Sequence, residues 1–221
     1  MPFENRAEAG RLLAGRLAVY RGQRPLVLAI PRGAVPMARI VADALDGELD
    51  VVLVHKLGAP NNPELAIGSI DETGAVYLDP EMRTMWDQSH LEHERSAQLS
   101  TLTRRRQMYQ PAGAPIEAAG RIAIVIDDGI ATGSTMMAAL RAVRGRRPST
   151  LIAAAGVAAP QALRLIRPHA DDVVCLETPM WLYAIGDFYR DFSQVSDDEV
   201  IAALRRTATD GVDVRKAKPT A

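Results

Sequence analysis

Short apolar runs that show no alternation with polar residues most constrain what this chain can fold into. They are Leu26-Val27-Leu28-Ala29-Ile30, Val51 to His55, Ile122-Ala123-Ile124-Val125-Ile126, Leu151 to Val157 and Val173 to Leu176. A strand with one face in water alternates apolar and polar side chains, whereas a strand covered on both faces does not need to. Segments with helical spacing lie between the runs: Val35 to Leu45, Ser134 to Val143 and Pro160 to Ile166. Buried strands alternating with helices predict an α/β fold, a doubly wound and mostly parallel sheet flanked by helices. The first strand–helix–strand unit implies a right-handed crossover.

Other segments depart from that rhythm. Asn5 followed by Glu8 reads as a capped helix start, with apolar residues recurring to Tyr20, so a helix is expected from about Arg6 to Tyr20. Lys56 to Asn62 reads as a polar loop. Leu65 to Ile70 and Ala75 to Leu78 flank Asp71-Glu72-Thr73-Gly74, a hairpin with a four-residue turn. Glu81 to Gln110 is charged and mostly helical, with Ser89 and Glu92 spaced as a capping box, and Pro111 to Pro115 is a short linker. The stretch from Thr207 mixes charge, Gly and Pro and is expected to be a disordered tail.

A length of 221 residues fits one domain that buries its own core. A net charge of -1 gives no global attraction to nucleic acid or to an anionic membrane, and no apolar run approaches the ~18 residues of a membrane span. The N-terminus lacks the basic start and apolar stretch of a signal peptide. Cys175, the one cysteine, excludes an intrachain disulfide and a multi-cysteine zinc site, and its apolar neighbours make it a buried strand residue. The expectation is a cytoplasmic protein with neither nucleic acid nor membrane as partner.

The chemistry concentrates after the run Ile122 to Ile126. Asp127 and Asp128 follow at once, then Gly129-Ile130-Ala131-Thr132-Gly133-Ser134-Thr135, and a helix begins. Ligands of open α/β sheets bind beyond the strands' carboxyl ends. Small residues there let backbone N–H groups approach a phosphate, and the helix N-terminus and hydroxyls add donors. Like charges repel, so the two acids suit hydroxyl donors or a metal ion. A phosphate beside a pair of hydroxyls describes ribose 5-phosphate. A Walker A loop does not fit, because Gly129 and Gly133 are one residue too close and Ser134 stands where its lysine belongs. A turn that only caps a helix would need one acid and one glycine, not this whole row.

Val125 to Thr135 resembles the phosphoribosylpyrophosphate-binding motif of the type I phosphoribosyltransferases, and the resemblance extends over roughly Phe3 to Val200, with wording similar to a bacterial branch of uncharacterised phosphoribosyltransferases. Ile30-Pro31-Arg32-Gly33-Ala34 resembles the family's pyrophosphate loop. Lys56-Leu57-Gly58-Ala59-Pro60, with Asn62-Pro63-Glu64, resembles the start of its flexible catalytic loop, and Tyr183 to Tyr189 its base-receiving hood. The resemblance implies one domain over residues 1–206, with a helical insertion at about 80–110, a hood at about 178–192, and the tail 207–221 outside it.

By that resemblance Asp127 and Asp128 accept the ribose hydroxyls, and Gly129 and Ala131 to Thr135 hold the 5-phosphate. Arg32, backbone at Gly33, and Lys56 hold pyrophosphate. Magnesium is the implied cofactor, with Asp127 and Asp128 reaching it directly or through water. The implied partners are phosphoribosylpyrophosphate, a small nitrogenous acceptor, and a second copy in a homodimer. The implied reaction is displacement of pyrophosphate at the anomeric carbon by a nitrogen nucleophile. Members that use hypoxanthine or guanine carry an acid at the position of Ala131, while the hood points to a purine-like base, so the acceptor stays open. The alternative is a regulatory protein that binds phosphoribosylpyrophosphate without catalysis.

Other residues are weighed singly. Tyr183 and Trp181 are candidates to stack on a base or to sit in the core, and Asp187 to meet the acceptor or metal or to cap a turn. His55 is given no role. Arg104-Arg105-Arg106 is expected to be a solvated helix face, and the insertion that carries it to cover the site or form a dimer contact.

Overall fold

The computed structural model describes residues 3–59, 62–78, 88–109 and 113–205. Five strands form one parallel sheet: β1 (Leu26–Ala29), β2 (Glu48–Val51), β6 (Ile122–Ile130), β7 (Thr150–Ala158) and β8 (Asp172–Glu177), in the order β2-β1-β6-β7-β8. Three more, β3 (Val54–Ala59), β4 (Asn62–Asp71) and β5 (Val76–Leu78), form a small antiparallel sheet. The helices are α1 (Arg6–Arg16), α2 (Val35–Ala44), α3 (Gln88–Tyr109), α4 (Ser134–Gly145), α5 (Pro160–Ile166) and α6 (Asp197–Arg205).

The unalternating runs are apolar because both sheet faces are covered. Val27, Ala29, Ile124, Ile126, Ile152 and Ala154 join the core under α1, α2 and α6. Their neighbours Leu26, Leu28, Ala123, Val125, Leu151 and Ala153 point the other way, into the core under α4 and α5. The period-2 pleat splits each run between two cores. The doubly wound sheet is thus as the sequence predicts.

Boundaries differ at informative places. The helix expected to reach Tyr20 ends at Arg16, and a single 3-10 turn covers Ala18–Tyr20. Its start is as predicted: the Asn5 side chain accepts from Glu8 N–H at 3.0 Å. The expected single strand Val51 to His55 is divided. Its first residue ends β2 of the parallel sheet and Val54 opens β3 of the other; Val52 and Leu53, both buried, carry the chain across. Most of the expected loop from Lys56 is strand, since Lys56–Ala59 pair antiparallel with β4; Pro60 and Asn61 lie outside the described residues. The hairpin at Asp71 to Gly74 is present, with Asp71 Oδ1 accepting from the backbone N–H of Thr73 and Ala75. The helix α3 already includes Gln88, so Ser89 is inside it rather than at its cap. The tail from Thr207 lies outside the described residues.

Candidate active site

The order of strands creates the crevice. The chain leaves β1 through α2 toward β2 on one side, and leaves β6 through α4 toward β7 on the other. Two connections departing from neighbouring strands in opposite directions leave an opening beyond their carboxyl ends. β1 ends beside Ile126, where Ile30 N–H donates to Ile126 O at 2.9 Å. Beyond it β6 keeps only β7 as neighbour, through Asp127↔Ala155, Gly129↔Val157 and Ile130↔Ala158. Asp127 and Asp128 therefore lie in strand rather than in the loop that their low strand propensity suggests, on the edge that β1 has vacated.

The two acids differ in surroundings. Asp127 Oδ1 accepts from Asp128 N–H at 2.9 Å. Burial first, and the neighbouring Asp128 carboxylate second, hold the Asp127 carboxyl well above the usual carboxylate range. Asp128 Oδ2 accepts from Arg6 Nε at 2.8 Å, with both side chains largely buried. The Asp128 carbonyl accepts from the Tyr189 hydroxyl at 2.7 Å. A Cβ on Gly33 would lie 2.2 Å from Asp128 Oδ2, so the loop after β1 and the acids after Ile126 meet, and only glycine fits there.

The small-residue loop follows as expected. Ala131 and Thr132 are exposed, Gly133 takes the left-handed conformation (φ 87) that glycine tolerates, and α4 begins at Ser134. No side chain caps that helix start, so its first N–H groups, Thr135 among them, face the loop with the dipole behind them. Thr132 Oγ1 lies 3.4 Å from Ser134 N and 3.3 Å from Ser134 Oγ. Donors thus converge on a space next to the acids, an arrangement suited to an anion.

The two predicted cations are placed differently: Lys56 shares a cavity with the start of α4, and Arg32 pairs with α6. Lys56, on β3, lines a cavity of 270 Å³ together with His55, Ser69, Ser134, Thr135 and Arg141. The small antiparallel sheet is thereby docked against α4. Arg32 follows β1, and the Pro31–Arg32 peptide bond is cis. Its guanidinium lies 3.5 Å from Asp197 at the start of α6.

The sequence matches the phosphoribosyl transferase domain family over residues 4–193. The chain belongs to this family. A Mycobacterium tuberculosis protein named provisionally as a phosphoribosyl transferase, found in two strains, is 41% identical over 210 residues; these cover 94% of this chain and 47% of the relative. The chain thus spans about half the length of the curated relatives it matches. The crystal structure of TT1426 from Thermus thermophilus is similar with a TM-score of 0.88 and 42% identity, over 94% of this chain and 99% of that one.

In this phosphoribosyltransferase-family chain, the segment read as a hood packs against the end of β6. Ile185 packs on Gly129, where a Cβ would fall 2.3 Å from its Cγ2. Phe3 pairs with Tyr189 as an isolated bridge, tying the hood to the chain's start. Tyr183 is 91% exposed and Trp181 73%, so neither belongs to the core. Asp187 is exposed on the 3-10 turn Ile185–Phe188. Cys175 lies within β8, partly buried, and its thiol is pushed up by burial.

Three contacts to the candidate site residues escaped sequence reading: Arg6 on Asp128, Tyr189 on the Asp128 carbonyl, and Asp197 on Arg32. Arg6 and Tyr189 stand 122 and 61 residues from Asp128 in the chain, and no local pattern marks either. A signal did exist for α6, since Ser196-x-x-Glu199 is a capping box: Ser196 N–H donates to Glu199 Oε2 at 2.7 Å, and Glu199 N–H to Ser196 Oγ at 3.2 Å.

Proposed function

We propose that this chain transfers a 5-phosphoribosyl group from 5-phosphoribosyl-1-pyrophosphate to a nitrogen of a planar, purine-like base, releasing pyrophosphate. The observation that carries the reading is a carboxyl pair on the edge of β6 that β1 leaves open, followed in the chain by a left-handed glycine and the hydroxyl-lined start of α4. Ala131 to Thr135 hold the 5-phosphate, beside Gly129. Asp127 and Asp128 accept the ribose hydroxyls. Gly33 leaves backbone N–H groups open to pyrophosphate, with Arg32 and Lys56 as its cations. Tyr183 offers an exposed ring for the base to stack on, and Asp187 a carboxylate near it.

Among the described residues no group of three or more His, Cys, Asp or Glu is placed to cage a metal ion. That donor set fits magnesium, which keeps its waters and takes substrate oxygens, with Asp127 and Asp128 as its few protein contacts. Bound there, magnesium would supply positive charge to the departing pyrophosphate. Arg32 and Lys56 act in the same direction as negative charge builds on the leaving group. The protein is read as cytoplasmic and homodimeric, without nucleic acid or membrane as partner; among the described residues no helix is long and apolar enough to cross a membrane.

Calorimetry should show magnesium-dependent binding of phosphoribosylpyrophosphate, strongly weakened in the Asp127→Asn, Asp128→Asn double variant. Unchanged affinity in a folded double variant overturns the ribose assignment. A second reading is a phosphoribosylpyrophosphate-binding regulator without catalysis, since Arg32, the residue assigned to the departing pyrophosphate, pairs with Asp197. A panel of nitrogenous bases with pyrophosphate release as readout separates the two. For the enzyme, Arg32→Ala lowers the single-turnover rate more than it lowers affinity. Binding with no release from any base favours the regulator.

A further inference from the structure

Arg6 opens α1, far in sequence from every motif of the site, yet its guanidinium ends beside the acid pair. Nε donates to Asp128 Oδ2 at 2.8 Å, Nη1 donates to the Ser193 carbonyl at 2.8 Å, and Cζ stands 3.8 Å from the centroid of the Phe192 ring. Three contacts from two segments, Asp128 on one side and the adjacent Phe192 and Ser193 on the other, fix one side chain that is only 11% exposed. The oxygen that it grips is the one that also meets the backbone at Gly33, where Arg6 Nη2 would lie 3.3 Å from a Cβ. Oδ2 is therefore boxed between Arg6 and the loop after β1. At its other end Asp128 is held through its carbonyl by Tyr189. These contacts engage Oδ2 and the main-chain carbonyl, not Oδ1.

We infer that Arg6 is a positioning residue that presents Asp128 Oδ1 to one ribose hydroxyl, an inference that rests on the ribose reading above. A buried ion pair contributes little net stability by itself, because desolvation offsets much of the attraction. Its effect here is geometric. A carboxylate free to rotate would spread its lone pairs over several directions, whereas one pinned through Oδ2 offers Oδ1 along a single direction. A hydroxyl hydrogen bond to a charged acceptor is strong only when aligned.

The test compares the affinities of ribose 5-phosphate, 2-deoxyribose 5-phosphate, 3-deoxyribose 5-phosphate and inorganic phosphate. In the wild type, each deoxy sugar should bind more weakly than ribose 5-phosphate, by about tenfold or more, as expected for a lost hydrogen bond to a charged group. In Arg6→Met one of the two deoxy penalties should collapse toward parity, the one belonging to the hydroxyl on Asp128. The other penalty and the affinity for inorganic phosphate should stay unchanged. Arg6→Lys, which keeps the charge and one donor, should retain part of the lost penalty, and it decides the matter if Arg6→Met does not fold. Both penalties persisting in a folded variant overturns the inference and leaves the ribose site standing. Equal loss of both penalties, together with loss of phosphate affinity, assigns Arg6 a merely structural role. A wild type with no penalty for either deoxy sugar overturns the ribose reading and this inference with it.

Discussion

Thr132 and Thr135 distinguish an anion cradle from a simple turn. Thr132 Oγ1 reaches toward Ser134 N and Oγ at 3.3–3.4 Å, long for hydrogen bonds, so its hydroxyl is not committed to capping the helix. Thr135 is exposed at the helix start. Thr132→Val and Thr135→Val keep the volume and remove a donor. Each should cost about 1.5–3 kcal/mol of phosphoribosylpyrophosphate binding by calorimetry, the range for a hydrogen bond to a charged group. A drop in melting temperature with affinity unchanged would instead make the hydroxyls caps. The role proposed for Thr132 could be read from the sequence because cradle residues follow one another in the chain. The contacts of Arg6 could not, since its partners come from β6 and from the distant pair Phe192 and Ser193.

The insertion helix α3 shows how an element can be predicted and its packing missed. Of the arginine triplet read as a solvated face, Arg104 and Arg105 are exposed, but Arg106 turns inward. It donates to Glu72 through Nε and to Asp50 through Nη1, while Nη2 donates to the Val51 carbonyl at 3.0 Å. Arg146 of the turn after α4 donates to the same Glu72 at 3.0 Å. The helix is thus locked to β2 and to the hairpin turn of its own chain. Arg106→Met leaves two buried carboxylates short of a partner and should cost about 3–5 kcal/mol in urea unfolding. Arg104→Ala should stay within about 0.5 kcal/mol; equal effects would show that the inward contact is unimportant. The same end of α3 is clasped to α6, where the Tyr109 hydroxyl donates to Asp197 Oδ1 at 2.9 Å. Burial first, and this hydrogen bond next, push the phenol from its ordinary 10.0 up to about 12. The folded chain holds that proton more tightly than the unfolded chain. The stabilisation is therefore complete below pH 10 and is lost as pH rises toward about 12. Absorbance titration of the phenols should show one late-ionising tyrosine moving to lower pH in Asp197→Asn, and no movement would break the clasp assignment.

The whole molecule joins two sheets of unequal protection. All four residues of β1 and all but the first of β7 are buried, whereas β5 is half-buried throughout. Amides of β1, β6 and β7 should exchange with solvent only through global unfolding, and those of the β4–β5 hairpin through cheaper local opening. Hydrogen exchange that finds the hairpin as slow as β7 would contradict this ordering. The difference bears on function because Lys56 belongs to the smaller sheet, whereas Asp127 and Asp128 belong to the rigid one. On the proposed function, such local opening would let the wall that carries Lys56 adjust around ligand while the acids keep their place.

The amino-acid sequence by itself determined the doubly wound sheet, the hairpin at Asp71 to Gly74, the small-residue loop opening α4 and the acids before it. Each of these depends on neighbours in the chain: a buried run, a turn residue, a glycine where φ is positive. Only the tertiary structure decided that β2 and β3 belong to different sheets, that β6 runs on through the acids, and that Arg106 turns inward. Val52 and Leu53 are apolar on either path, so nothing local marks the crossing. Asp127 to Ile130 extend because β7 lies alongside to pair with them. Arg6, Tyr189 and Asp197 acquire their partners only through closure of distant segments, and for the Arg6–Asp128 pair burial makes the choice of partner decisive.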